Sequence, residues 1–115
     1  DWGAAFFFVD LETWEQRPYI DLSQYATLEV ELSGPWYGSR AQVGMKDNND
    51  PDDGSERKRS RELSTEWRTF QFPLTVFRRG SYANPARIYI PLELVFGSSD
   101  SLKQEFYIRS VRLLP

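Results

Sequence analysis

At 115 residues the chain is long enough to bury one core and too short for two. Its net charge of −3 and pI near 5.0 give it no general pull toward nucleic acid, and no apolar run approaches the roughly 20 residues of a bilayer-spanning helix, so neither nucleic acid nor membrane insertion is expected. The absence of both His and Cys excludes Ser–His and Cys–His catalysis, disulfides and ordinary zinc sites, leaving any chemistry to carboxylates, lysine, tyrosine or a borrowed cofactor.

Aromatic residues make up 16% of the chain, and large rings suit pleated, half-buried surfaces. In chain order, strands are predicted near 4–9, 27–33, 39–46, 57–62, 67–74, 88–97 and 105–114. Leu28, Val30 and Leu32 alternate with Glu29, Glu31 and Ser33, and Val43 and Met45 alternate with Gln42, Gly44 and Lys46. Phe70 and Phe72 alternate with Thr69 and Gln71, and Ile90, Leu92, Leu94 and Phe96 with Tyr89, Pro91, Glu93 and Val95. Period two places one face of each strand in a core and the other in water. The expected core is Leu28, Val30, Leu32, Val43, Met45, Phe70, Phe72, Ile90, Leu94 and Ile108. Turns are marked by Ser33-Gly34-Pro35, by Asn48 to Gly54 and by Gly97-Ser98-Ser99-Asp100, and Pro91 inside a strand pattern predicts an edge or a bulge. Helix is confined to single turns at 21–25 and 99–104. Many short strands with regular turns read as an all-β sandwich or barrel, of which an antiparallel β-sandwich forming one domain over 1–115 is the expected form. The start at Asp1 without a Met reads as a fragment trimmed from a larger protein.

Ile20 to Tyr25 before Leu28, Val43 to Asp47, Trp67 to Phe77 and Phe106 to Leu113, in that order, together resemble jelly-roll carbohydrate-binding modules of the galactose-binding-like superfamily. Ile20-Asp21-Leu22-Ser23-Gln24-Tyr25 leading into Leu28 is similar to the turn that precedes a core strand in those modules. Val43-Gly44-Met45-Lys46-Asp47 resembles their next strand, and Trp67 to Phe70 with Pro73-Leu74 and Phe77 a later one. Phe106 to Leu113 resembles the closing strand, with Arg109-Ser110 where an acidic pair is common. The resemblance implies a jelly roll that holds a polysaccharide or oligosaccharide without catalysis, extracellular or periplasmic and tethered to other domains. The alternative is an extracytoplasmic sensor or scaffold domain that reuses the fold to recognise protein.

If strands 27–33 and 39–46 pair, Glu29, Glu31, Arg40, Gln42 and Lys46 share one solvent-facing side, where they can bond sugar hydroxyls. Trp36 and Tyr37 in the connection, with Tyr89 or Trp14, would supply flat rings for stacking on a sugar. Glu29 and Glu31 stand about 7 Å apart by strand geometry, within the carboxylate gap of inverting glycosidases. Two neighbours on one open strand lack the unlike environments of an acid–base pair, so no catalytic residue is assigned. The acid-rich segment from Asp47 fails the EF-hand spacing, with Pro51 fifth and Lys58 twelfth. No cofactor or metal ligand is assigned; a structural calcium ion has no specific motif, and a solvated turn is expected there. Arg57, Arg59 and Arg61 would face one way in a strand, as a ladder for an anionic sugar, but the five acids just before them offset it.

Overall fold

A computed structural model describes residues 2–97 and 106–115. Seven strands are present among these residues: β1 (Trp2–Phe7), β2 (Thr27–Ser33), β3 (Arg40–Asp47), β4 (Lys58–Glu62), β5 (Arg68–Pro73), β6 (Ile88–Gly97) and β7 (Tyr107–Leu114). The predicted turn beyond Gly97, the helical turn at 99–104 and the start of the last strand at 105 lie outside the described residues. The strands form two antiparallel sheets, one ordered β1-β6-β3-β4 and the other β5-β2-β7. The chain passes repeatedly between layers, as expected of a jelly-roll sandwich.

The core lies where the alternating residues place it. Leu28, Val30 and Leu32 from β2 and Phe72 from β5 meet Val43 and Met45 from β3 and Leu92 and Leu94 from β6, all at most 3% exposed. Each such side chain contributes about 1.5–3 kcal/mol by leaving water. Ile90 is also buried, while Phe70 and Ile108 are partly buried and pack against the core.

Proline explains two details. Pairing of β1 with β6 ends at Phe7↔Leu92, because the next position on β6 is Pro91, which has no N–H to offer. The chain therefore leaves the ladder at Phe8, two residues before the predicted end. On the other side of β6 the register with β3 shifts between Gly44↔Glu93 and Lys46↔Ile90, so Pro91 stands in a bulge of an inner strand, not on an edge strand. Residues 21–25 form a turn and no helix: Asp21 accepts from the Ser23 amide, and Tyr25 N–H bonds the Leu22 carbonyl. Single 3-10 turns occur instead at Trp14–Gln16, Leu74–Phe77 and Pro85–Arg87, the last capped by Asn84.

The expected pairing of β2 with β3 does not occur; the two strands lie in opposite sheets. Their connection crosses the end of the sandwich. It is pinned there by Gly34 N–H to the Ser64 carbonyl and Gly38 N–H to the Leu63 carbonyl, beside the crossing from β4 to β5. Alternation shows which face of a strand is buried, but both sheets bury one face, so it cannot assign a strand to a sheet.

Edge strand β4 turns Arg59 and Arg61 toward the sandwich side. Arg59 donates to the Val76 carbonyl, and the Arg61 guanidinium lies 4.6 Å over the Phe72 ring. Arg59 and Arg61 thus form no outward ladder for an anionic sugar, the reading already disfavoured by the neighbouring acids; these charges close a sheet edge. The segment after β3 is likewise built and not merely solvated. Asp47, fully buried, accepts from the amides of Asn49 and Asn84, and Asp50 accepts from the Asp52 amide. Those carboxylates hold backbone amides, Asp50 also facing Lys46, and among the described residues no group of three or more acids is arranged to hold a metal ion.

Candidate functional site

The outer face of the four-stranded sheet gathers exposed rings beside buried charges. Phe6 projects from β1 on this face, cross-strand from Glu93, which in turn pairs with Gly44 on β3. After the chain leaves the ladder, Phe8 lies 6.4 Å from Phe6, and the 3-10 turn brings Trp14 to 5.6 Å from Phe8. Phe6 and Trp14 are 41% and 44% exposed, large for rings within a packed row. Arg17 closes the turn in the left-handed region, at φ 54°, and its guanidinium returns over the sheet. It lies 4.8 Å over Tyr89, donates to the carbonyls of Asn48 (3.1 Å) and Asp50 (2.7 Å), and bonds the Asp52 carboxylate.

Beside the rings, Lys46 and Glu93 on this sheet face are buried, as are the side chains of Asp50 and Glu56 on the segment after β3. The Lys46 ammonium is 3.3 Å from both Asp52 and Glu56 and 3.7 Å from Asp50, and lies 5.5 Å over the Phe6 ring. Burial would lower its pKa, but the surrounding carboxylates Glu56, Glu93 and Asp50 reverse this and raise it. Lys46 is thus a fixed cation. Glu93 is 2% exposed and crosses Gly44, where a β-carbon would come within 3.0 Å of Glu93 Oε2. Glycine at this strand position makes room for a carboxyl. Burial, then the Glu56 carboxylate beside it, pushes Glu93 up to about 7, whereas Asp50 is raised chiefly by burial. Together the rings offer apolar planes, and Arg17 and Asp52 offer donors and acceptors at their border, with buried Lys46 holding Asp52 in place, the two requirements of a carbohydrate surface.

The residues predicted from sequence are divided by the fold. Arg40 and Gln42 lie on the outer face of the four-stranded sheet, where Arg40 bonds Ser60 (3.2 Å) and stands 3.8 Å from Glu62. Glu29 and Glu31 lie on the opposite side of the sandwich, on β2, paired with Arg112 and Arg109 respectively. One ligand cannot touch both groups across a sandwich. Trp36 and Tyr37 are exposed at the end of the sandwich, Tyr37 near Arg68. Tyr89 is 4% exposed beneath Arg17 and Phe8, so it supports the surface from below and is no platform itself. Trp14 is the one suggested ring that joins this surface. Phe6, Phe8, Arg17, Asp50, Asp52, Glu56 and Glu93 were not anticipated. The available signals were adjacent Phe residues at the start, a glycine inside β3, and Glu93 as an acid in the middle of an apolar strand.

The chain matches the family model of carbohydrate binding domain 30 over residues 2–114. Its fold is similar to the crystal structure of a family 30 carbohydrate binding module, with a TM-score of 0.67 and 17% identity over 98% of this chain and 60% of the other. It thus spans 60% of the length of that structure. No curated protein matches it.

Proposed function

The chain belongs to the carbohydrate binding domain 30 family, and from that premise we propose that a polysaccharide lies across the outer face of the four-stranded sheet, stacked on Phe6 and Trp14 and bonded by Arg17 and Asp52. The domain binds carbohydrate and is not an enzyme, as its family membership establishes. The observation supporting this surface is the half-exposed aromatic row bordered by charges already fixed in place. Ordering those groups beforehand lowers the cost of holding a weak ligand. The pair Glu56 and Glu93 is no acid–base pair for hydrolysis, because the two carboxyls contact each other and leave no gap for a glycosidic bond. Attachment to further domains and an extracellular or periplasmic location are part of the same reading. No helix among the described residues is long and apolar enough to cross a membrane.

Native electrophoresis through gels containing a soluble β-glucan, a xylan, a galactomannan or a polygalacturonate tests the function. At least one of these should retard the chain, and prolonged incubation should release no reducing sugar ends. Unchanged mobility in every gel would contradict the proposal, and release of reducing ends would contradict the non-catalytic role.

A further inference from the structure

We propose that Glu93 is a positioning residue that holds residues 50–57 against the glycan-facing sheet through a proton shared with Glu56, so that glycan affinity falls when the proton is lost. The inference rests on the surface proposed above. Its geometry begins with Gly44, whose missing side chain lets the Glu93 carboxyl lie across β3 beneath the segment that carries Asp50, Asp52 and Glu56. Glu56 Oε1 and Glu93 Oε2 are both buried, and no protein donor satisfies either. Lys58 stands 3.9 Å from Glu56 Oε1, too far for a hydrogen bond. The Glu56 and Glu93 carboxyls hydrogen-bond each other, which demands a proton between them, since two ionised groups in contact repel. With Glu93 protonated, it donates to Glu56, and Glu56 remains an anion for Lys46.

The charged and titratable groups around Glu93 come from every neighbouring element. Lys46 lies on β3, Lys58 on β4 and Glu56 on the connecting segment, while Asp50, Asp52, Arg17 and Tyr89 form the next ring outward. Of these, burial and Glu56 set Glu93 near 7, while the Glu93 hydrogen bond and Lys46 keep Glu56 low against its burial. The sign follows. A carboxyl raised from 4.5 to about 7 contributes stability fully below 4.5, and this is lost as pH rises through about 7. Above that, the added negative charge pushes Glu56 off the sheet. Asp52 lies on the same segment and grips Arg17, which bridges to the aromatic row, so the disturbance reaches the ligand surface.

Calorimetric titration with each polysaccharide of the panel, at pH 5.5, 7.0 and 8.5, tests this on the wild type, Glu93→Gln and Trp14→Ala, with melting curves alongside. Glutamine has the shape of the protonated acid and retains a donor for Glu56. The wild type should bind at least roughly threefold more weakly at pH 8.5 than at 5.5, with a midpoint near 7, while Glu93→Gln should keep its low-pH affinity throughout. If Glu93→Gln does not fold, Glu56→Gln should shift the midpoint to lower pH, because the neighbouring anion is gone. Parallel pH profiles in the wild type and the folded variant overturn the proposal. So does a flat wild-type profile while Trp14→Ala still weakens binding, and in that case the proposed surface stands. Unchanged affinity for Trp14→Ala overturns the surface itself, and the proposal with it.

Discussion

Replacing Phe72 with alanine is expected to destabilise the domain by about 3–5 kcal/mol, the range for removing a buried Phe side chain. Phe72 is fully buried on β5, pairs with Leu28 on β2 and packs 5.8 Å from Phe77. It also carries Arg61 over its ring, so truncation leaves a void and an arginine without its apolar partner at the β4 edge. Domains of this size are stable by only about 5–15 kcal/mol. The melting temperature should therefore fall on the order of 10–20 °C. Phe70→Ala, at a partly buried position on the same strand, should cost less. A thermal or urea denaturation curve checks both, and a Phe72→Ala midpoint equal to the wild type would show that the sandwich is not packed around this ring.

Trp14→Ala should weaken binding of a retained polysaccharide by about 1–3 kcal/mol, roughly 5- to 150-fold, as expected for an aromatic anchor at the centre of a contact. The fold should survive. Trp14 is 44% exposed on a 3-10 turn that buries none of its residues, and it meets the rest of the molecule through Phe8. A similar loss is expected for Phe6→Ala, whose exposed ring also shields Lys46. Calorimetry with circular dichroism of each variant separates lost contact from lost structure. Full affinity in both variants would place the ligand elsewhere.

Much of the architecture was legible in the sequence because the sandwich spends one face of each strand on its core. Leu28, Val30, Leu32, Val43, Met45 and Phe72 announce that face by period two, and Pro91 announces the bulge. What alternation does not encode is the partner of a strand. β2 and β3 are adjacent in sequence and read as a hairpin, yet the connection through Trp36 and Tyr37 crosses between sheets, and that alone separated Glu29 and Glu31 from Arg40 and Gln42. The candidate surface was hidden for a related reason. Phe6, Lys46, Glu56 and Glu93 come from four chain segments, and only the register Phe6↔Glu93↔Gly44 brings them together. Residues 48–57 looked like a solvated turn by composition, which does not show the bonds from Arg17, Lys46, Arg79 and the Arg87 carbonyl that order it.

The central claim is that carbohydrate binds on the outer face of the four-stranded sheet. Mapping backbone amide shifts by NMR while adding an oligosaccharide of the retained polysaccharide tests it most directly. The account predicts that shifts concentrate at Phe6, Phe8, Trp14 to Arg17, Lys46 and residues 50–57, and that Glu29, Glu31, Arg109 and Arg112 on the opposite sheet, with Trp67 beneath the Arg109 guanidinium, stay still. Shifts centred on that opposite sheet, with Phe6 and Trp14 unmoved, would contradict it.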